Sequence, residues 1–500
     1  MGKNKMARLV GLMALTAAAG VMVGCGGGGG GDNSAVAPSP APTPAPTPAP
    51  EPTAPVIDRI EALDTADSSA KSSSVAERSI PAGGSVTSVV LGPMVNAALP
   101  KASSTLGASE PQIGVARAVQ GIAKVSDLSG QLRWQETPSG TRVAALSVTS
   151  EGAKGVRLGL LVRDLPSGST LRFYAQKGGE VLQISGDQVA DIIKNNLQAG
   201  TPDEAAHTYW TPDFNGPETT VEIEIPATAS VASVKLAVPR LSHYLVSPDE
   251  AQAQNFAKVG ESGSCEVDAM CKPEFSSQGR AVARMLFVRN GNTYLCTGTL
   301  LNDARSSRTP YFLSANHCVS TQAEASSVMT DWFYRSSACD SGSLGTGAQR
   351  RIGGATLLYA AANTDTSFMR LNDAPPAGVV YAGSYFGAVD AGFTVAGIHH
   401  PKGDLQKFSS GILVRYSTCS DELCFSSNVA SGTFMTVGWQ QGVTEGGSSG
   451  AALFHTLDQK RYVVGQLYGG ASSCQAPAGL DHYGRFDTAY RTAIQQWLNP

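Results

Sequence analysis

Apolar residues in this chain come mostly in short runs, broken by glycine, proline and serine, which is the pattern of strands joined by turns. Gln131–Gln135, Arg142–Val148, Val156–Val162, Thr170–Ala175, Val221–Ile225 and Val234–Val238 read as strands and imply a small β-sandwich. One helical pattern interrupts them. Ser185 and Gln188 form a capping-box signature, and Val189, Ile192, Ile193 and Leu197 fall on one face, expected to pack into the core. From Val56 to Lys124 the periodicity is weak, and this stretch is expected to be loosely structured. After residue 258 short strands continue to the C-terminus, where Asp487 is expected to cap a helix with a stripe of Tyr490, Ile494, Trp497 and Leu498.

The N-terminus follows other rules. Lys3, Lys5 and Arg8 precede an apolar run from Leu9 to Val23 that ends at Cys25, the layout of an export signal. A cysteine after a small residue resembles a bacterial lipobox and predicts lipidation of Cys25, although Met22 stands where leucine is usual. A glycine tract and repeated Ala-Pro-Thr-Pro follow, a composition that favours extended polyproline II over a packed core. The expected organisation is a signal peptide with lipobox (1–25), a Gly/Pro-rich linker (26–57), a propeptide or accessory region with the β-sandwich (58–258) and a further domain (259–500).

With 500 residues, a net charge of −4 and 16% charged residues, the chain is large enough for two or three cores and gives no sign of nucleic-acid binding. Of nine cysteines, Cys25 stands apart and eight lie between Cys265 and Cys474. An even set confined to one region fits disulfides formed after export, in about 105 conceivable pairings. Cys419 and Cys424 bracket a short polar loop and suggest a local bridge, with a metal or free-thiol role also open.

The candidate chemistry centres on Gly442–Leu453, where Ser449 sits on a glycine-bracketed turn leading into an apolar strand. A serine hydroxyl becomes nucleophilic when a neighbouring base takes its proton. His317, closing an apolar segment, and Asp365, opening an alternating one, supply a base and an orienting acid in the order His, Asp, Ser. Gly447 is placed to carry an oxyanion-binding N–H together with that of Ser449.

Further stretches make the pattern specific: Gly263-Ser264-Cys265, Cys296-Thr297-Gly298, Tyr311 to Cys318, Ile398-His399-His400-Pro401, Gly442 to Gly450, Gly465 to Gly470 and Asp481 to Arg485. Together, residues 260–500 resemble the bacterial lysyl endopeptidase branch of the chymotrypsin-like serine proteases. The resemblance implies an all-β fold with two six-stranded β-barrels, a C-terminal helix and an active site in the cleft. It implies disulfides Cys265–Cys474, Cys271–Cys339 and Cys296–Cys318, leaving Cys419–Cys424 as an extra bridge. It also makes Asp481 the carboxylate of a specificity pocket lined by Tyr468, Gly469 and Gly470, which selects lysine before the scissile bond. Lysyl-specific relatives carry histidine where this chain has Tyr468, so arginine is expected to enter too, and no aromatic partner for Tyr468 is apparent between residues 410 and 438.

In trypsin a new N-terminus pairs with an aspartate just before the nucleophile. Ser448 occupies that position here, so the pairing cannot form. Processing is expected after Lys258. Glu445, His399 and His400 match the family without an assigned role. The expected activity is that of a serine endopeptidase, secreted or anchored at the bacterial outer membrane or cell surface. It would act as a monomer on protein or peptide substrates, without cofactor or metal, meeting the membrane only through a lipid at Cys25. The alternative is a cell-surface binding protein with an inactive protease domain.

Overall fold

The computed structural model describes residues 57–65, 76–80, 84–95, 110–247, 262–420 and 423–500. Cys25, Lys258 and the linker up to residue 56 lie outside these residues. The described part is all-β, with short helices at its margins.

Nearest the C-terminus, six antiparallel strands close into a barrel: Thr394–His399, Lys407–Ser420, Phe434–Gln441, Leu480–Arg485, Lys460–Gly470 and Ala452–Leu457, the last pairing with the first. Val395, Leu413, Val437, Leu453, Leu467 and Tyr483 are among the side chains that fill one of its cores. Ahead of it, Met329–Trp332, Val282–Arg289, Asn292–Leu301, Tyr311–Ala315, Thr366–Leu371 and Ala355–Ala361 form a curved antiparallel sheet in that order. It surrounds Met285, Phe287, Leu300, Phe312, Trp332 and Met369. This second unit is a half barrel, since no ladder joins its outermost strands among the described residues.

The expected β-sandwich is present. Its outer sheet holds Val86–Leu91, Arg142–Ser150, Glu218–Ile225, Thr170–Tyr174 and Leu182–Ser185, and the inner one Thr208–Trp210, Val156–Asp164, Lys235–Tyr244 and Gln112–Ala118. The inner sheet does not end there. Gln112–Ala118 also pairs with Thr293 and Tyr294 of the half barrel, so one sheet runs through both. Buried residues continue across the junction, with Leu286, Leu295 and Met329 in the same cluster as Leu158 and Leu241. Polar contacts cross it as well. The buried Arg157 donates to the carbonyls of Thr211 (2.8 Å) and Ser327 (2.8 Å), and Arg350 reaches Asp213 at 3.2 Å.

Besides the half barrel that replaces the second closed one, other expectations change, among them the strand Gln131–Gln135, of which only Gln135 enters a strand, Gln135–Glu136. The stretch from Val56 to Lys124 is not loose throughout. Arg59–Ile60 pairs with Gly383–Tyr385, Leu63–Asp64 with Val380–Tyr381, and Val86–Leu91 and Gln112–Ala118 join the sandwich. These strands find partners far away in sequence, so local alternation carries little trace of them. The helix Gly186–Gln198 has its capping box, but Val189, Ile192 and Asn196 point inward while Leu197 is exposed. Asn196 is tolerated there because its amide donates to the Ala206 carbonyl at 3.1 Å. Asp487 does not cap the terminal helix. Its carboxylate pairs with Arg485 (2.7 Å) and with Arg491.

Candidate active site

His317 lies in the turn after Tyr311–Ala315, and Asp365 directly precedes the neighbouring strand Thr366–Leu371, whose first residue pairs with Ala315. That register brings the two side chains together. His317 Nδ1 is 2.7 Å from Asp365 Oδ2, and the backbone N–H of His317 donates to Oδ1 at 2.9 Å. Asp365 is buried and takes φ of +48°, a left-handed conformation that aspartate tolerates better than most residues. Burial by itself depresses the His317 imidazole, but the Asp365 carboxylate more than offsets this and holds it above its ordinary 6.5. Nε2 is buried and makes no hydrogen bond among the described residues.

The turn is held from two sides. The disulfide Cys296–Cys318 ties it to Asn292–Leu301. Arg289 donates to the carbonyls of His317 (2.6 Å) and Cys318 (2.7 Å) while pairing with Glu324 and with Glu110 (2.7 Å). Arg289 and Glu110 escaped sequence reasoning, since no motif marks them and 179 residues separate them.

The turn carrying Ser449 packs against the same strand pair. Thr297 N–H donates to the Ser449 carbonyl at 2.8 Å. A Cβ on Gly450 would come within 2.2 Å of Ser314 Oγ, so only glycine allows this approach three residues before His317. Gly447 takes φ of +96° beside the backbone of His400, Lys402 and Gly403, and its carbonyl accepts from Thr297 Oγ1 at 2.9 Å. Thus Ser449 and His317 sit on segments bound to one another through Thr297 and Gly450.

Asp481 lies in Leu480–Arg485, opposite Val437 and Gly470. It is fully buried, and Oδ2 accepts from Trp439 Nε1 (2.6 Å), Thr444 Oγ1 (2.7 Å) and Ser472 Oγ (2.6 Å), while Oδ1 accepts from Ser472 N–H (3.1 Å). Burial raises its pKa against these hydrogen bonds. All four donors are neutral, and no cation pairs with Asp481 among the described residues. A Cβ on Gly470 would fall 2.1 Å from Oδ1, which explains the glycine there. Trp439, Thr444 and Ser472 were not foreseen as its partners.

Gly469, next to Gly470, pairs with His482 across the sheet. Tyr468 meets His317 edge-on, with ring centroids 6.0 Å apart, and packs on Phe434 at 5.2 Å. Phe434, invisible as a partner in the sequence, supplies the missing aromatic contact. The remaining disulfides are Cys265–Cys474, Cys271–Cys339 and Cys419–Cys424.

Two family descriptions match the chain: the lysyl endopeptidase N-terminal domain over residues 90–245 and the lysyl endopeptidase C-terminal domain over residues 259–484. A lysyl endopeptidase of Pseudomonas aeruginosa is 33% identical over 385 residues, covering 74% of this chain and 78% of that protein. The chain belongs to the lysyl endopeptidase family. It is a serine endopeptidase, and its substrates are peptides. Among solved structures, the Rv3671c protease of M. tuberculosis in its active form is 15% identical, covering 50% of this chain and 95% of that one, with a TM-score of 0.31. The HtrA-type protease AlgW bound to a tripeptide is 16% identical, covering 45% of this chain and 62% of that one, also with a TM-score of 0.31.

Family membership gives the buried pairs a common context. His317 and Asp365 lie on the half barrel, and Ser449, Tyr468 and Asp481 on the closed barrel.

Proposed function

We propose that this endopeptidase cleaves after lysine, and also after arginine, through a triad of Ser449, His317 and Asp365. One observation carries the specificity: Asp481 is a buried carboxylate with four neutral hydrogen-bond donors and no cation partner among the described residues, so a positive charge entering the pocket would find an unmatched negative one. Tyr468 stands at the pocket in place of histidine, and this substitution relaxes the lysine preference.

The reaction begins with transfer of the Ser449 hydroxyl proton to His317 Nε2 as Oγ attacks the carbonyl carbon. Asp365 keeps the Nδ1–H tautomer and stabilises the imidazolium that forms. The N–H groups of Gly447 and Ser449 receive the oxyanion of the tetrahedral intermediate. His317 then returns the proton to the leaving amine, and an acyl-enzyme remains on Ser449. Water attacks this ester with the same histidine as base and releases the acid product. No metal or organic cofactor takes part.

Four disulfides fit an exported protein. No helix among the described residues is long and apolar enough to cross a membrane. Cys25 is the lipidation site of an anchored form, residues 58–258 act as propeptide or accessory region, and cleavage follows Lys258 in a monomer whose sandwich and half barrel share one sheet. Matched peptides differing only in Lys, Arg or Glu before the scissile bond, with Ser449→Ala as control, test the proposal. Cleavage after both basic residues and not after glutamate is expected. Equal kcat/KM on all three would overturn the role of Asp481, and undiminished activity in Ser449→Ala would overturn the triad.

A further inference from the structure

His399 lies beneath the Ser449 turn, and its hydrogen bonds place a ring proton on Nε2. The Ser409 hydroxyl donates to the Val443 carbonyl at 2.6 Å, because a carbonyl can only accept. Its oxygen must then accept from His399 Nε2, 2.9 Å away, so the ring proton sits on Nε2. The bare Nδ1 in turn accepts the Ser448 hydroxyl at 2.8 Å, and Ser448 Oγ takes the Glu445 N–H at 3.3 Å. One proton-ordered chain therefore runs from the Val443 carbonyl through Ser409, His399 and Ser448 to the Glu445 N–H, fastening both ends of the segment that carries Gly447.

The ring is fully buried. Burial, followed by the neighbouring His400 and Lys407, pushes its pKa down to about 3, which keeps it neutral. The Glu266 carboxyl approaches Nε2 only to 4.0 Å, beyond hydrogen-bond reach, and burial holds it well above its ordinary value.

We propose that His399 is a positioning residue: as a neutral, Nε2-protonated imidazole it holds Val443–Ser449 in the shape that points the Gly447 N–H at the oxyanion. It does so at Ser448, the place where a charged N-terminus and an aspartate would otherwise act. The inference rests on the reading of Ser449 as nucleophile and Gly447 as oxyanion donor. The relay adds no charge and does not draw on a new chain end, so the loop is shaped by the fold itself.

The test uses the full chain with His399→Leu, His399→Asn, Ser448→Ala and Ser449→Ala. Each is assayed on a lysyl peptide and titrated with a lysyl-type peptide boronate, a mimic of the tetrahedral intermediate, and with a simple alkylamine that occupies only the pocket. His399→Leu is expected to lose about 10²–10³ in kcat, the range for loss of an oxyanion donor, and boronate affinity by a similar factor. KM and amine affinity should stay within about threefold. His399→Asn, whose amide oxygen can accept from Ser448, should recover part of the loss, a pattern that a purely structural role would not produce. A folded His399→Leu protein with kcat and boronate affinity within about threefold of the parent would overturn the inference. If His399→Leu does not fold, unchanged kcat in both Ser448→Ala and His399→Asn does the same. Full activity in Ser449→Ala would bring down the nucleophile assignment and this inference with it, whereas an inert Ser449→Ala beside an unimpaired His399→Leu would bring down the inference alone.

Discussion

Asp365 meets His317 twice, through Oδ2 at 2.7 Å from the ring Nδ1 and through Oδ1 accepting the backbone N–H at 2.9 Å. The second contact fixes the carboxylate in place before any substrate arrives, and the first selects the tautomer that leaves Nε2 free to accept a proton. Asp365→Asn keeps the volume but can present its amide N–H to Nδ1, favouring the wrong tautomer. It should lower kcat by about 10⁴ with little change in KM, as steady-state kinetics on a lysyl peptide would show. A loss below about tenfold would mean that His317 is not the base.

The pH profile should carry the same signature. As the proposed base, His317 acts only when neutral, and the Asp365 carboxylate holds its pKa above 6.5. Activity must therefore fall as pH drops through a value above 6.5, not through one below it. Glu110 contributes to this rise, so Glu110→Gln, in chains that retain residue 110, should move the acidic limb of kcat/KM downward.

Asp481→Asn removes the unmatched charge while its amide can still hydrogen-bond within the pocket. The loss on lysyl and arginyl peptides should correspond to about 2–5 kcal/mol, the range for truncating one partner of a buried charge pair. Peptides with an uncharged residue before the scissile bond should lose much less. Gly470→Ala should impair the same substrates, because the new methyl would lie 2.1 Å from Asp481 Oδ1. Side-by-side kcat/KM values decide this.

Between the sandwich and the half barrel, Asp331 is clasped by Arg284 (2.7 Å) and Arg350 (2.7 Å), and Arg350 continues to Asp213. Burial opposes ionisation of Asp331, but the two guanidinium groups outweigh it and hold the carboxyl far below its ordinary 3.8. A depressed pKa stabilises the fold above the unfolded value and loses that contribution as pH falls towards the folded one. Asp331→Asn should therefore destabilise the protein at pH 7 by about 3–5 kcal/mol, the cost of breaking a buried pair. Its deficit against the parent should shrink in denaturant titrations below pH 3.8.

What the sequence determined by itself was local or motif-bound. Glycine-bracketed Ser449, the His317-Cys318 segment and the alternation around Asp365 marked the chemistry, and the strands of the sandwich showed in runs such as Arg142–Val148. The Ser185–Gln188 capping box was equally legible, because its partners lie three residues apart. The tertiary structure decided everything that depends on distant partners. Gln112–Ala118 becomes a strand because Lys235–Tyr244 and Thr293–Tyr294 offer it two open edges, and nothing in its own weak alternation announces them. Phe434 reaches Tyr468, Trp439 reaches Asp481, and Glu110 reaches Arg289 only after barrels and sheet have formed. His399 was visible as a residue, but its role rests on hydrogen bonds to Ser448 and Ser409, 49 and 10 positions away. A hydrogen bond depends on atoms within about 3 Å of each other, and a linear chain does not specify which atoms those are until it has folded.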